Sequence, residues 1–272
     1  IALDKFHVTL SLERMNKING FSEVNQSIEV EAGVILHSIH EYVATKNFLF
    51  PLSMASKGSC CIGGNLATNA GGVGVLKYGN ARDLCLGLEV VLADGSIIND
   101  IKTLKKDNTG YDLKNLFIGS EGSLGIITRA VLRLFPTPKN RIVSFFGVPN
   151  FKCALESYKE ISKRFQQYLQ AFELISDEGL KFLEETNMDQ SMSQKNNSPW
   201  YVLMELGFNS NSIEQDLYDV LDDLYNRKII SDVILGDTEA KARKLWKIRE
   251  DIPEANKKIG AISSHDISVP LE

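Results

Sequence analysis

The sequence has few cysteines and no long hydrophobic run. Only four of its 272 residues are cysteine, namely Cys60, Cys61, Cys85 and Cys153, which is too few for a small secreted fold built on disulfides. No unbroken apolar stretch reaches the roughly 20 residues that a membrane-spanning helix needs. The first residues, IALD, lack the basic and apolar regions of a signal peptide. We therefore expect reduced thiols and a cytoplasmic location, or the mitochondrial matrix in a eukaryote.

An excess of basic residues is also absent. The chain has 30 lysines and arginines against 35 aspartates and glutamates, which gives a formal net charge of −5. Proteins that bind the phosphates of nucleic acids usually carry a strong basic excess, so we expect no nucleic-acid partner. The hydrophobic fraction of 43% and the charged fraction of 24% are typical of globular proteins and exclude disorder over most of the length.

Apolar residues recur with the periods of strands and helices. Residues 6–11 and 27–31 alternate and predict strands, whereas residues 34–46 have a helical pattern. Two prolines at 136 and 138 mark a boundary, which predicts units at 1–138 and 139–272. In the second unit, strands at 141–148, 169–175, 201–206 and 229–235 alternate with helices at 151–168, 177–184, 212–226 and 238–258. This order predicts an α+β fold whose second sheet carries helices on one face.

The segment 58–72, GSCCIGGNLATNAGG, is the most informative part of the sequence. Glycine pairs are unfavourable in regular elements because they lose much backbone entropy on folding. They are useful where backbone N–H groups approach a ligand closely. A surface loop with ordinary turn chemistry is the alternative interpretation. The segment matches neither the Rossmann glycine fingerprint nor a phosphate-binding P-loop.

Four blocks in a fixed order resemble one enzyme family. They are the segment 51–72, LEVVLADG at 88–95, KDNTGYDL at 106–113 and GSEGSLGIIT at 119–128. Together they resemble the FAD-linked oxidases related to vanillyl-alcohol oxidase. The resemblance extends to LWKIRE at 245–250 and HDISVP at 265–270. Within the family it is to the D-2-hydroxyacid dehydrogenases, a branch that acts on D-2-hydroxyglutarate or D-lactate and includes the flavin subunit of glycolate oxidase.

The resemblance implies where a non-covalent FAD would bind. Residues 1–138 would form the second part of an FAD-binding domain, and residues 139–272 the first part of a substrate domain with an antiparallel sheet and helices. Gly125 and Ile126 would contact the adenine end. The isoalloxazine, ribityl and pyrophosphate groups would be contacted, largely through backbone amides, by Pro51, Leu52, Gly58, Ser59, Ile62, Gly63, Gly64, Asn65, Thr68, Asn69, Gly71 and Gly72.

The resemblance also implies a substrate and a reaction. The family's activity would be oxidation of D-lactate, glycolate or D-2-hydroxyglutarate to the 2-oxoacid by hydride transfer to the flavin. Arg249 and Ser264 would bind the substrate; an Arg249 that merely pairs with Glu250 or Asp251 is the alternative. Pro253 and Ser264 replace a threonine and a lysine of the D-2-hydroxyglutarate type, which leaves a monocarboxylate substrate open. Inside its helix, Pro253 is expected to bend or end it.

Other implications concern the partners and the length of the chain. The family passes electrons to a quinone or an electron-transfer protein, and a homodimer is a further expectation. Relatives carry a glycine-rich pyrophosphate loop before the matching region and a histidine-rich metal and substrate site after it. We therefore expect the 272 residues alone to be inactive and to lack the ligands of a divalent metal, and we assign no catalytic residue. An inactive remnant and a flavin oxidoreductase with an unrelated substrate remain alternatives.

Overall fold

The computed structural model describes residues 8–188, 198–210, 212–260, 263, 265 and 267–271. The chain divides into two compact units, Ile1–Thr137 and Pro138–Glu272. Each unit is built around an antiparallel sheet with helices packed on it, which confirms the predicted α+β class. Among the described residues, no helix is long and apolar enough to cross a lipid bilayer.

The first unit contains a five-stranded antiparallel sheet in the order β1-β2-β6-β4-β5. Its strands are β1 (Ile18–Ser22), β2 (Ser27–Glu31), β4 (Cys85–Val91), β5 (Ile97–Asp100) and β6 (Ile126–Arg133). A separate two-stranded pair joins β3 (Phe48–Leu49) to β7 (Phe135–Pro136). The helices of this unit are α1 (Leu36–Ala44), α2 (Ile62–Ala67), α3 (Val75–Tyr78) and α4 (Lys114–Phe117).

Two local predictions for the first unit need correction. The strand predicted at 6–11 is wrong for residues 8–11, which are irregular, while residues 6 and 7 lie outside the described residues. The strand that precedes β2 and pairs with it is β1, which begins at Ile18. The glycine-rich segment is also not simply a loop, because it contains the short helix α2.

The second unit contains a four-stranded antiparallel sheet in the order β11-β8-β10-β9. Its strands are β8 (Asn140–Val148), β9 (Leu169–Ser176), β10 (Trp200–Phe208) and β11 (Ser231–Gly236). The helices are α5 (Phe151–Phe165), α6 (Asp177–Glu185), α7 (Ser212–Asn226) and α8 (Glu239–Ile259). Helix α8 runs through Pro253 without ending there, so the expectation that this proline could end the helix is wrong.

Helices cover both faces of the second sheet, so the prediction of helices on one face is wrong. Apolar residues of α5 and α7 pack on the face that contains Phe146. Those of α6 and α8 pack on the opposite face, which contains Phe145. The consecutive residues 142–148 of β8 are all buried, as expected for a strand whose two faces are both covered by other elements.

We predict that removing the Phe146 ring strongly destabilises the second unit. Phe146 is fully buried against α5 and α7, and truncating a buried phenylalanine to alanine costs about 3–5 kcal/mol. Phe146→Ala should therefore lower the free energy of unfolding by that amount in urea titrations. Phe151→Ala, at a position 54% exposed, is the control and should cost less than about 1 kcal/mol. Equal losses for the two variants would contradict the described packing.

Candidate functional site

A histidine holds the start of the segment 51–72, which includes the glycine-rich residues 58–72. The Nε2 atom of His40 on α1 lies 2.9 Å from the carbonyl oxygen of Leu52, whose side chain is 1% exposed. Because a carbonyl oxygen only accepts, Nε2 carries the hydrogen of this bond. Burial lowers the pKa of His40 below its ordinary value, which favours the neutral ring. His40 therefore helps to hold the chain at Leu52.

The two ends of the segment lie against each other. The amide of Val73 donates to the carbonyl oxygen of Ser53 at 3.2 Å. A Cβ atom at Gly72 would collide with the same carbonyl oxygen, and one at Gly74 would lie 2.8 Å from the carbonyl oxygen of Pro51. Gly72 and Gly74 are therefore required by the close approach of two stretches of backbone.

Helix α2 lies directly on the chain that leaves β2. The amides of Ile62 and Gly63 donate to the carbonyl oxygens of Val34 and Ala32 at 2.9 and 2.8 Å. A Cβ atom at Gly63 would lie 2.7 Å from that of Ala32. These two N–H groups are thus used within the fold, although the sequence placed them among the candidate donors to a ligand.

Gly58 and Gly64 differ from the packed glycines. A Cβ atom added to either would have no other atom within 4 Å, so the backbone there borders open space. Gly64 is exposed although it lies within α2. Packing does not explain a glycine at these two positions, whereas close approach of a ligand would account for it.

Asn65 has a buried side-chain acceptor without a partner in the described part of the chain. Its side chain is 5% exposed, and its Nδ2 atom lies 3.4 Å from the Sδ atom of Met54. Its Oδ1 atom is buried and has no hydrogen-bond partner among the described residues. An unpaired buried acceptor costs about 1–3 kcal/mol, and a bound N–H or hydroxyl group would recover that cost. The acceptor and the open glycines fit a flavin nucleotide, which carries both kinds of donor.

Three other side chains that were predicted to contact the cofactor form hydrogen bonds within the chain. The Thr68 hydroxyl donates to the carbonyl oxygen of Gly64 at 2.9 Å. The Asn69 side chain accepts a bond from the Arg82 amide at 3.0 Å. The Ser59 hydroxyl lies 3.3 Å from the carbonyl oxygen of Ser56. These side chains shape the segment, which reduces the number of groups free for a ligand.

The predicted adenine contacts lie at the start of β6. A Cβ atom at Gly125 would lie 2.7 Å from a methyl carbon of Val90, so this glycine lets β6 approach β4. Ile126 pairs with Val91 across the same two strands. The backbone after the loop at 119–122 is thereby fixed against the sheet.

Five residues of the block 106–113 help to line a polar groove of about 320 Å³. Asp107 forms an ion pair with Lys102 at 2.6 Å, and Asp112 with Lys114 at 2.7 Å. The carboxylates of this block are therefore paired with lysines. Among the residues that the structure describes, no group of three or more histidine, cysteine, aspartate or glutamate side chains could hold a metal ion.

In the second unit, Arg249 is paired with a strand residue. Its Nε atom donates to the Oε2 atom of Glu173 on β9 at 3.0 Å. The helix neighbour Asp251 pairs with Lys247 instead, so the alternative pairing of Arg249 with Asp251 is not found. Ser264, the other predicted substrate residue, lies outside the described residues.

A second carboxylate on the same sheet contacts the helix that bears Arg249. Glu205 on β10 accepts a hydrogen bond from the indole nitrogen of Trp246 and lies 3.5 Å from a guanidinium nitrogen of Arg141. Burial raises its pKa, while Arg141 and Trp246 act in the opposite direction. Glu173 and Glu205 were not among the residues predicted from the sequence. Their signal is a lone carboxylate within each of two apolar strands, LQAFELIS and WYVLMELGF.

Comparisons with known proteins identify relatives of the chain. The family model described as "FAD binding domain" matches residues 3–100, and the one described as "FAD linked oxidases, C-terminal domain" matches residues 137–272. A putative mitochondrial D-lactate dehydrogenase of Schizosaccharomyces pombe is 39% identical over 97% of this chain and 50% of its own length. Mitochondrial D-2-hydroxyglutarate dehydrogenase of Rattus norvegicus is 39% identical over 97% of this chain and 49% of its own length.

Solved structures share the fold at low sequence identity. Alkyldihydroxyacetonephosphate synthase superposes with a TM-score of 0.68 at 18% identity, over 91% of this chain and 46% of that chain. A p-cresol methylhydroxylase with bound substrate superposes with a TM-score of 0.63 at 17% identity, over 88% of this chain and 53% of that chain. The chain spans about half the length of the curated relatives that it matches. Because the model of the FAD-linked oxidases matches residues 137–272, which is half of the chain, this chain belongs to the FAD-linked oxidases.

Proposed function

We propose that the FAD-loaded protein oxidises a D-2-hydroxyacid to the corresponding 2-oxoacid. The observation that carries this proposal is Arg249, a partly exposed guanidinium in the unit that matches the C-terminal domain of FAD-linked oxidases. An arginine can hold a carboxylate with two parallel hydrogen bonds. Similarity over 97% of the chain to dehydrogenases of D-lactate and D-2-hydroxyglutarate supports this substrate class.

The proposed cofactor site is the segment 51–72 together with Gly125 and Ile126. Bound FAD would supply the hydride acceptor, and the protein would supply orientation and capture of the substrate. Gly58 and Gly64 would admit the cofactor close to the backbone, and the Oδ1 atom of Asn65 would accept one of its N–H or hydroxyl groups. The other predicted members would contact it or hold the segment in shape: Pro51, Leu52, Ser59, Ile62, Gly63, Thr68, Asn69, Gly71 and Gly72.

In the proposed substrate site, Arg249 binds the substrate carboxylate and Ser264 contacts the substrate. Pro253 has no N–H and no polar side chain, so it offers no hydrogen-bond donor to a second carboxylate. This favours a monocarboxylate such as D-lactate or glycolate, with D-2-hydroxyglutarate as the competing substrate. From the family resemblance we also propose a quinone or an electron-transfer protein as the electron acceptor, and a homodimer. We further propose the mitochondrial matrix as the location; the word mitochondrial in the names of the relatives supports a mitochondrial location over the cytoplasm.

We predict that, in a complete form of the protein, Gly64→Val abolishes FAD binding while the second unit still folds. The valine side chain would fill the open space beside the exposed backbone of Gly64, where the cofactor is proposed to lie. Flavin absorption after gel filtration measures bound FAD, and circular dichroism measures the fold. Gly20→Val is the matched control, because Gly20 also borders open space but lies in β1. Parental FAD affinity in Gly64→Val would refute the assignment of this segment.

We predict that, in a complete form of the enzyme, Arg249→Ala weakens transition-state binding by about 2–5 kcal/mol, the range for removing one partner of a buried charge pair. The quantity to measure is kcat/KM with D-lactate, glycolate and D-2-hydroxyglutarate and a dye as electron acceptor. FAD content should not change. Arg227→Ala is the control, since Arg227 pairs with Glu156 and Asp223 on the surface of the same unit. Parental kinetics in Arg249→Ala would leave this arginine with a structural role only.

A further inference from the structure

We propose that Glu173 positions Arg249 to receive the substrate carboxylate. This inference rests on the substrate role of Arg249 proposed above. Glu173 itself would not touch the substrate, so it is a positioning residue. Nothing in the family resemblance pointed to it, and the contact joins residues 76 positions apart in the sequence.

The location of Glu173 calls for an explanation. It lies opposite Leu203 in the pairing of β9 with β10, and Leu203 belongs to the apolar cluster beneath α6 and α8. The Glu173 side chain is only 25% exposed. A carboxylate on an apolar sheet face loses favourable hydration and needs a charged or hydrogen-bonding partner. Arg249 is that partner.

The geometry of the contact leaves the far end of the guanidinium available. Glu173 accepts from the Nε atom at 3.0 Å, and it is the one ion-pair partner of Arg249 in the part of the chain that the structure describes. A guanidinium is planar, so fixing the Nε–H bond restricts the direction of its two terminal nitrogens. Those nitrogens carry the parallel N–H groups that a bidentate carboxylate needs.

A second contact between a polar side chain of the helix and a strand carboxylate lies one turn earlier on α8. Trp246, three residues before Arg249, donates its indole N–H to Glu205 on the adjacent strand β10. Residues three apart on a helix share a face. One face of α8 is thus attached to the sheet through two polar side chains, each with its own strand carboxylate. We infer that the sheet fixes where this face of the helix presents its polar groups.

The test is a double-mutant cycle in a complete, FAD-loaded form of the enzyme. Glu173→Gln keeps the size of the side chain and removes its charge. Glu173→Gln should raise the KM about 10- to 100-fold for whichever of D-lactate and D-2-hydroxyglutarate is the better substrate. This is the scale expected when a binding group is misplaced by about 1 Å. The Kd of oxalate, measured by the change in flavin absorption, should rise in parallel. Glu173→Asp, which keeps the charge, should recover part of both losses.

The decisive measurement is made in the Arg249→Ala background. If Glu173 acts through Arg249, adding Glu173→Gln to Arg249→Ala should change KM and the oxalate Kd less than twofold, because coupled residues are not additive. Fully additive effects would overturn the proposal. So would a lower KM in Glu173→Gln, which would mean that Glu173 competes with the substrate for Arg249.

Two controls separate the ways in which the proposal can fail. Glu156→Gln breaks a surface pair with Arg227 in the same unit and should leave KM and FAD content unchanged. If Glu173→Gln had parental kinetics while Arg249→Ala lost much of its kcat/KM, the positioning role of Glu173 would be refuted and the substrate role of Arg249 would stand. Parental kinetics in Arg249→Ala would refute the substrate role of Arg249, and the inference about Glu173 with it.

Discussion

The contact between Gly63 and Ala32 is the constraint on which the proposed cofactor site depends. It lets α2 lie against the chain leaving β2, where two amides of the helix complete hydrogen bonds to that chain. The next residue of the same short helix, Gly64, then borders open space. The carbonyl oxygens of Leu66 and Ala67 in turn accept the amides of Gly119 and Glu121. A glycine pair therefore combines two functions, since one member packs inward and the other leaves the backbone accessible.

Periodicity was a good guide to the second unit. All four strands and four helices predicted there are present, because each is long and its apolar residues repeat clearly. The coverage of the sheet was harder to predict. In β8 the sequence IVSFFGV is apolar except for one serine. This pattern is typical of strands that are buried on both faces. Alternation of helices and strands along the chain does not specify which face each helix covers.

The candidate site was predictable in its location and less so in its details. The glycine pairs and the short polar residues indicated the segment 58–72. Residue types alone do not reveal that the amides of Ile62 and Gly63 are used by residues near position 33, because this depends on contacts between distant parts of the chain. The same limit applies to Glu173. Its partner lies on another element, and a single glutamate in a strand gives no indication of which arginine it meets.

Pro253 has a consequence for the mechanics of α8. In a helix, the amide of each residue bonds to the carbonyl oxygen four residues earlier. Pro253 has no amide hydrogen, so the bond to the carbonyl oxygen of Arg249 cannot form although the helix continues. The turn that bears Arg249 is thus held by one backbone bond fewer than its neighbours. Its attachment to the sheet through Glu173 restrains a part of the helix that is otherwise the easiest to bend, so stiffness there comes from the side chain and not from the backbone.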